Sequence, residues 1–448
     1  MARFYKKVFS LGVIVLASFL ILWKLDWLDY GNMILFYGLE SILLGMFLYV
    51  YVPVFVFFLA KSKLSRWVHV KSTSEMPLIP TMFTILIPAH NESLLLPKLL
   101  ASIQAQNFPK EYFNVIVIAD NCTDNTADLA REGHAICYER KTTQPSDKTQ
   151  ALEYAWKMLQ TEKGAIENST IVLIDADCQL EPDFLAEVHR MKGRPNAAPV
   201  MQTFRYVRNA HQSRMTMLDG ASEALRQWVI LGSRKVLGLQ CFICGSGVVL
   251  PYSVFSQLMS CDVHSVVEDR VWQGYLLENG IRTEWCPSAK INYEVVETHQ
   301  DFQKQRKRWI EGQLSLGKRN SARMFLRGIW EGNFSKLDYA ASLLQLPRAA
   351  MMASALFFTV FSFFVPHYSF VAWWAWGLIG GAFFFYVAIG LMLIDAKWGE
   401  YLAIFEAPKI IFGVVRSTFY GIFGKKISNW EATRELSEPV PSNVKEIG

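Results

Sequence analysis

Asp175 and Asp177 stand one small residue apart, directly after the apolar, β-branched run 171–174. Two carboxylates this close repel unless something positive lies between them. A divalent cation with hard oxygen ligands answers that need, and Mg²⁺ commonly shares such a pair with substrate phosphates. Taken alone, Asp-x-Asp more often marks a strand that ends in two solvated aspartates. What changes the reading is the company the pair keeps along the chain.

Each of the other candidate groups also has a plain reading. Glu268-Asp269 is the acidic pair that a helix dipole favours at a helix start. Residues 304–308 are strongly basic and fit a helix lying on a membrane surface. Gly245-Ser246-Gly247 is a turn signal. His90, taken singly, is a loop histidine. Trp430 and Arg434 fit a tail anchored at a membrane interface. The order in which the groups occur sets the chemical reading apart from these separate ones.

The elements that must hold them read as strands alternating with helices. Runs 84–87, 115–118, 135–138 and 171–174 are strands, and 94–104, 125–132 and 148–160 have helical spacing. Asp124 reads as the N-cap of the helix over 125–132. This alternation predicts a mostly parallel sheet with helices on both faces, and α/β sheets bind ligands at the carboxyl ends of their strands. Asp120 and the Asp175/Asp177 pair both fall at such ends. Further on, 281–286 and 291–295 read as two more strands. The stretch 266–279 carries Glu268-Asp269 near its start, and 297–327 is polar, basic and helical.

The chain is 448 residues long, 52% hydrophobic and 14% aromatic. Its long apolar runs suggest an integral membrane protein. Runs 8–23 and 32–60 form one expected hairpin, and 349–365 and 370–394 form a second. Glu40 is expensive in lipid, so it is expected to face another helix or lie near an interface. Lys61, Lys63, Arg66 and Lys71 after the first hairpin, and Arg348 and Lys397 around the second, place the flanking segments in the cytosol by the positive-inside rule. The run 401–423 carries Glu406, Lys409 and Arg416 and is expected to lie at the interface. A net charge of +5 is too mild to argue for nucleic acid. The seven cysteines show no disulfide spacing, and Cys241-x-x-Cys244 lacks two further zinc ligands, so reduced core thiols are expected.

Taken together, the pieces resemble the inverting family-two glycosyltransferases with a GT-A fold. They are most similar to the membrane-bound branch that includes cellulose, hyaluronan and poly-N-acetylglucosamine synthases. The resemblance spans residues 84–309 by motif and the flanking helices by layout. Pro88-Ala89-His90-Asn91-Glu92 resembles the first strand-end turn of that family, which implies nucleoside contacts for His90 and Glu92. Asp120 matches its base-binding acid. Lys148, with Ala151 and Leu152, resembles a segment facing the donor diphosphate, although Thr149 stands where the family has Gly. Asp175 and Asp177 match its Asp-x-Asp, which implies a Mg²⁺ or Mn²⁺ ion with Asp177 the more direct ligand. The loop 242–246, containing Cys244, Gly245 and Ser246, resembles the acceptor loop of cellulose synthases. Glu268-Asp269 matches Thr-Glu-Asp with Val267 replacing Thr, which implies that Asp269 is the base. Gln305, Arg308 and Trp309 complete Gln-x-x-Arg-Trp without departure.

The chemistry is consistent with that resemblance. A departing nucleoside diphosphate gains charge, which a metal and cations such as Lys148 and Arg308 stabilise. An acceptor hydroxyl needs a carboxylate base, and Trp309 offers a flat face to a sugar ring. The expected layout is a transmembrane hairpin over 1–76 and a cytosolic GT-A domain (a nucleotide-diphospho-sugar transferase fold) over 77–298. Interfacial helices follow over 299–348, then a second hairpin with an interfacial helix over 349–424 and a tail over 425–448. The expected reaction moves a sugar from a nucleotide-sugar, a UDP-sugar for preference, to a saccharide hydroxyl with inversion during polysaccharide synthesis. Single glycosylation of a lipid-linked acceptor and a non-catalytic assembly subunit are the alternatives. Membrane lipids, and a helper subunit or a second copy, are the expected partners, with no nucleic acid.

Overall fold

The computed structural model describes residues 29–69, 81–143, 146–161, 168–261, 265, 267–295 and 299–406. Expectations that fall on 8–23 or on the tail lie outside the described residues, as does 401–423 beyond residue 406. The chain divides into two units. One comprises Met1–Tyr49 with Met351–Phe383, and the other Val50–Ala350 with Phe384–Gly448.

In the first unit, α1 (Asp29–His69) contributes its opening turns. The unit also holds most of a further helix over Arg348–Phe364 and the start of another over Trp373–Leu393. Phe36 stacks on Phe361 at 4.5 Å between ring centroids, and Phe47 meets Trp376 edge-on at 6.2 Å. Glu40 is fully buried here and accepts from the Phe370 amide (2.9 Å), Trp376 Nε1 (2.9 Å) and the Ser369 hydroxyl. A carboxylate in an apolar helix is tolerable only when its oxygens are satisfied in this way. By length and composition, Gly31–Val68 and Trp373–Leu393 could each cross a membrane, whereas the apolar helix Ala350–Phe364 is shorter.

The second unit is built on a sheet of eight strands in the order β3-β2-β1-β4-β7-β6-β8-β5. Strands β1 (Phe83–Ala89), β2 (Phe113–Asp120), β3 (Ile136–Arg140) and β4 (Thr170–Leu173) are mutually parallel. The helices between them are α2 (Leu96–Gln104), α3 (Thr126–Glu132) and α4 (Lys148–Thr161). Beyond β4 the expectation of a mostly parallel sheet holds only between β6 (Val200–Val207) and β8 (Thr283–Tyr293). β7 (Val248–Pro251) runs antiparallel to β4 and to β6, and β5 (Cys178–Leu180) runs antiparallel to β8. The sheet is therefore mixed. Strand composition carries no direction. Only strand–helix alternation dictates parallel crossovers, and it holds only as far as β4.

Two apolar layers close the sheet. Phe83, Ile85 and Ile87 of β1 point to one face, against α2 and α5 (Phe184–Lys192), while Leu86 points to the other. On that second face lie Ala151, Leu152 and Ala155 of α4, Phe255 of α8 (Tyr252–Met259), and Trp272 and Leu276 of α9 (Glu268–Glu278). Between them come α6 (Arg214–Ala224), a π-helical turn over Leu225–Leu231, and α7 (Gly232–Leu237). Ser213 caps α6 with its hydroxyl on the Thr216 amide at 3.1 Å.

The two strands expected over 281–295 are one strand, β8. A register shift opposite Thr203/Phe204 takes up Pro287, with Cys286 and then Lys290 as the paired residues. A bulge is one of the few places a sheet accepts proline. Beyond β8, α10 (His299–Trp330) and α11 (Phe334–Leu344) pack on one another. The helix Arg348–Phe364 is α12 and Trp373–Leu393 is α13, and a 3₁₀ segment, Trp398–Glu406, ends the described chain.

Candidate active site

The carboxyl ends of β1, β2 and β4 share one edge of the sheet, and the candidate residues gather there. At the end of β1, His90 Nδ1 lies 2.7 Å from the Asp120 carbonyl, which ties the first strand-end turn to the second. Asn91 and Asn121 both have positive φ (57° and 50°), a conformation asparagine tolerates better than most residues. The Glu92 amide donates to Thr126 Oγ1 at 2.9 Å. Asp124 does not cap α3 as expected: Asn125 holds the N-cap position. Asp124 instead accepts from the Thr126 amide (3.1 Å) and from the Ser93 amide (3.1 Å), cross-linking the two turns. Asp120 is fully buried, taking Arg140 Nη1 at 2.7 Å on one oxygen and the Ser146 hydroxyl on the other.

Lys148, the first residue of α4, is where separate parts of the site meet. Its ammonium is bonded to Asp175, donates to the Gly245 carbonyl at 3.0 Å, and lies 3.7 Å from Glu268 Oε1. Strand-end acid, acceptor-like loop and start of α9 thus converge on one cation. Burial pulls that ammonium down, but Asp175, Glu268 and Asp269 outweigh it and hold it well above the ordinary lysine value. Burial also pushes the Glu268 carboxyl up, to about 7, with Lys148 opposing and Asp269 reinforcing the rise.

The loop before β7 is fastened on every side. The Asp175 amide donates to Ser246 Oγ at 3.0 Å, and the Gly247 amide to the Leu173 carbonyl at 2.8 Å. Gln202 of β6 accepts from the Cys244 amide at 2.7 Å and donates to the Ser246 carbonyl at 2.9 Å. Gly247 has φ +70°, and a Cβ there would sit 2.3 Å from Thr203 Oγ1. Glycine is required at that position both by backbone conformation and by space.

Helix α9 brings Asp269 to the same region. Asp269 Oδ1 accepts from the Arg270 amide at 2.7 Å. Val267, which stands where the resembled family has Thr, occupies the N-cap position without a side-chain cap. It packs instead on α10, where a Cβ on Gly312 would lie 2.9 Å from Val267 Cγ1. That contact brings the helix carrying Gln305, Arg308 and Trp309 alongside α9. Arg308 is half-buried and Trp309 is 38% exposed, whereas the Gln305 side chain lies outside the described residues. Two further bonds fix α9. Gln273 Oε1 accepts from the Ile243 amide at 3.0 Å, and Tyr339 Oη donates to the Arg270 carbonyl at 2.6 Å.

Arg140, Ser146, Gln202, Arg205 and Gln273 hold this arrangement together, and sequence reading did not single them out. Their signal was weak: polar residues inside otherwise strand-like or amphipathic runs. Among the described residues no three His, Cys, Asp or Glu side chains form a ready metal cage. Two hard carboxylates at a strand end nonetheless suit a divalent cation whose other ligands are phosphate oxygens and water. All cysteines from Cys122 to Cys286 are free thiols.

Comparison with known proteins points to glycosyltransferases. The family model for glycosyl transferase family group 2 matches residues 170–389. A probable glycosyltransferase, YdaM, of Bacillus subtilis is 24% identical over 239 residues, covering 51% of this chain and 54% of its own length. The beta-monoglucosyldiacylglycerol synthase of Nostoc sp. is 26% identical over 236 residues, covering 51% of this chain and 48% of its own. The chain thus spans about half the length of the curated relatives it matches. Among solved structures, the mannosyltransferase PcManGT of Pyrobaculum calidifontis, in complex with GDP-Man and Mn²⁺, aligns over 87% of this chain and 100% of its own. Its TM-score is 0.50 at 16% identity, a likeness of fold, and the fold of this chain is GT-A-like.

Proposed function

We propose that the chain is a family 2 glycosyltransferase by its catalytic domain and that it transfers a sugar from a nucleotide-sugar, a UDP-sugar for preference, to an acceptor hydroxyl with inversion. The observation that carries this reading is the convergence on Lys148 of Asp175, the Gly245 carbonyl and Glu268. A cation already clasped by a strand-end acid is placed to receive an anionic diphosphate.

In this reading, His90, Glu92 and Asp120 hold the nucleoside at the ends of β1 and β2. Asp175 and Asp177 would hold Mg²⁺ or Mn²⁺, which when bound neutralises charge on the departing diphosphate. Lys148 and Arg308 add fixed positive charge where the diphosphate gains negative charge. Trp309 offers a sugar-stacking face at the edge of the site. Asp269 takes the proton of the attacking hydroxyl. Cys244, Gly245 and Ser246 line the acceptor side.

The domain works in the cytosol beside the membrane, with both flanks of the apolar helices inside. A secreted polymer would need a second copy or a helper subunit, because few helices among the described residues could form a channel. Growth of a cell-surface polysaccharide is the first reading for the acceptor. A single transfer to a lipid is the second, favoured by relatives named as glycolipid synthases. The test is nucleotide release by the purified full chain across a panel of UDP- and GDP-sugars with Mn²⁺ or Mg²⁺. Release with one donor, abolished by EDTA, is expected. Silence across the panel would overturn the reading.

A further inference from the structure

Behind the acceptor-side loop lies a buried charged cluster that the proposed chemistry does not use. Glu223 of α6 is almost fully buried. It accepts from Gln227 Nε2 (2.9 Å) and Tyr293 Oη (3.2 Å) and pairs with Arg226 Nη1 at 3.1 Å. Arg226 and Arg205 hold it below the ordinary glutamate value despite burial. Gln227 in turn accepts from Trp285 Nε1 at 3.1 Å. Arg226 and Gln227 lie in the π-helical turn, and such turns are frequent at functional sites.

Arg205 of β6 is half-buried, and it is not turned primarily toward Glu223. Its Nε is 3.9 Å from Glu223 Oε1 and has no hydrogen-bond partner among the described residues. Its Nη1 instead donates to the Cys244 carbonyl, and the guanidinium lies 4.8 Å over the Tyr293 ring. Glu223 is satisfied by its other partners, so charge neutralisation alone does not explain the pose of Arg205. The pose is set by the Cys244 peptide. Gln202 grips the amide of that residue and Arg205 its carbonyl, so β6 holds both sides of Cys244. Residues three apart point to opposite faces of an unbroken strand. The register break between Thr203 and Phe204 falls between these two.

We propose that Arg205 is a positioning residue for transfer, holding the Cys244–Ser246 loop in register with Lys148 and Asp175. The proposal rests on the reading of that loop as the acceptor side of a nucleotide-sugar transferase. From Cys244 the constraint passes directly to the Gly245 carbonyl on Lys148 and to Ser246 Oγ on the Asp175 amide. The nucleoside turn at His90 and Asp120 stands apart from it. Loss of Arg205 therefore separates transfer from donor binding.

The experiment uses native membranes containing the full chain, with radiolabelled UDP-glucose and UDP-N-acetylglucosamine as donor probes. Sugar entering the lipid- and polymer-bound fraction is compared with sugar released to water, and affinity for UDP with Mn²⁺ is measured on the same preparation. Arg205→Met is expected to lower bound product by about ten- to a hundred-fold, the range for losing a charged hydrogen bond, with UDP affinity unchanged. Tyr293→Phe, which removes a Glu223 partner without touching Cys244, should transfer normally. Normal transfer by Arg205→Met, or an equal loss in both variants, overturns the proposal. If Arg205→Met loses UDP binding as well, Arg205→Lys decides, since it keeps a cation opposite Glu223 without the fork that reaches Cys244. A selective loss of transfer in that variant supports the proposal, and native transfer overturns it. A native chain that neither binds UDP nor moves sugar from any nucleotide-sugar refutes the functional reading itself, a different result from either of these.

Discussion

Replacing Gly247 by alanine should damage the site in a measurable and divisible way. Gly247 has φ +70°, and an L-residue in the left-handed region costs about 1–2 kcal/mol. Its Cβ would also lie 2.3 Å from Thr203 Oγ1 and 2.8 Å from Ile291 Cδ1. The isoleucine methyl is the flexible end of a side chain and can yield. Thr203 cannot easily do so, because it is fully buried and its hydroxyl donates to the Gly247 carbonyl at 2.9 Å. Overpacking of this kind costs a further ~1–3 kcal/mol. Gly238 is a built-in control: it has the same φ of +70°, and a Cβ added there would meet nothing within 4 Å. Gly238→Ala should show the backbone cost alone and Gly247→Ala both costs. At about 3 °C per kcal/mol for a domain of this size, the midpoints should fall by roughly 5 °C and 10 °C at one fixed scan rate. Thr203→Ala in the Gly247→Ala background should recover part of the difference, giving a coupling of about 1 kcal/mol or more. Transfer should drop only in Gly247→Ala, because Ser246 would no longer meet the Asp175 amide. Equal shifts for the two glycines, or strict additivity with Thr203→Ala, would refute the reasoning.

Asp269→Asn keeps the shape of the side chain and removes the proton acceptor. Transfer should fall on the order of 10²–10⁴-fold with donor affinity little changed, and loss of donor binding would recast Asp269 as a structural residue. Washing with EDTA should abolish turnover, and Asp177→Asn should weaken donor binding in added Mn²⁺; full activity after thorough chelation would count against a metal. Glu268 predicts a pH effect on stability. The folded chain holds the Glu268 proton up to about 7, against an ordinary value of 4.5, so it binds more protons than the unfolded chain across that window. Stability is therefore lost as pH rises from 4.5 to about 7, by about 3 kcal/mol for a shift of this size. Glu268→Gln should then be more stable than the native chain at pH 8, but not at pH 4, in melts run in EDTA.

The central part of the fold was legible because its signals are local. The alternation of 84–87, 115–118 and 171–174 with helical segments leads directly to β1, β2 and β4 in a parallel sheet. Past Asp177 the signals change kind. Nothing in 248–251 says that β7 runs antiparallel to β4, since direction comes from where the preceding loop is fastened. The runs 281–286 and 291–295 read as two strands, and the bulge at Pro287 that joins them is visible only in the pairing with β6. Asp124 read as a cap because its type and place fit. Its carboxylate is drawn to Ser93, 31 residues earlier, by a turn that only the folded sheet brings near.

The candidate site divides along the same line. Residues that would touch substrate carry a type signal: paired aspartates, a lysine at a helix start, an acidic pair before an apolar face. The residues that hold those groups carry none. Gln202, Arg205 and Gln273 act through backbone atoms of the 243–246 loop, and any sequence could present those same amides and carbonyls. Motif reading therefore finds charges and misses the hydrogen bonds that aim them. Lys148 shows why the distinction matters. Its sequence neighbourhood suggests a diphosphate contact, yet its resting partners come from β4, the loop before β7, and the start of α9. An anion arriving at Lys148 must compete with Asp175 for the same ammonium. Donor binding in the proposed reaction then has to rearrange one of the two contacts that couple the strand-end acid to the acceptor loop, the other being the Asp175 amide on Ser246 Oγ. The loop stays in register through that exchange because it is also held from behind, by β6 through Gln202 and Arg205.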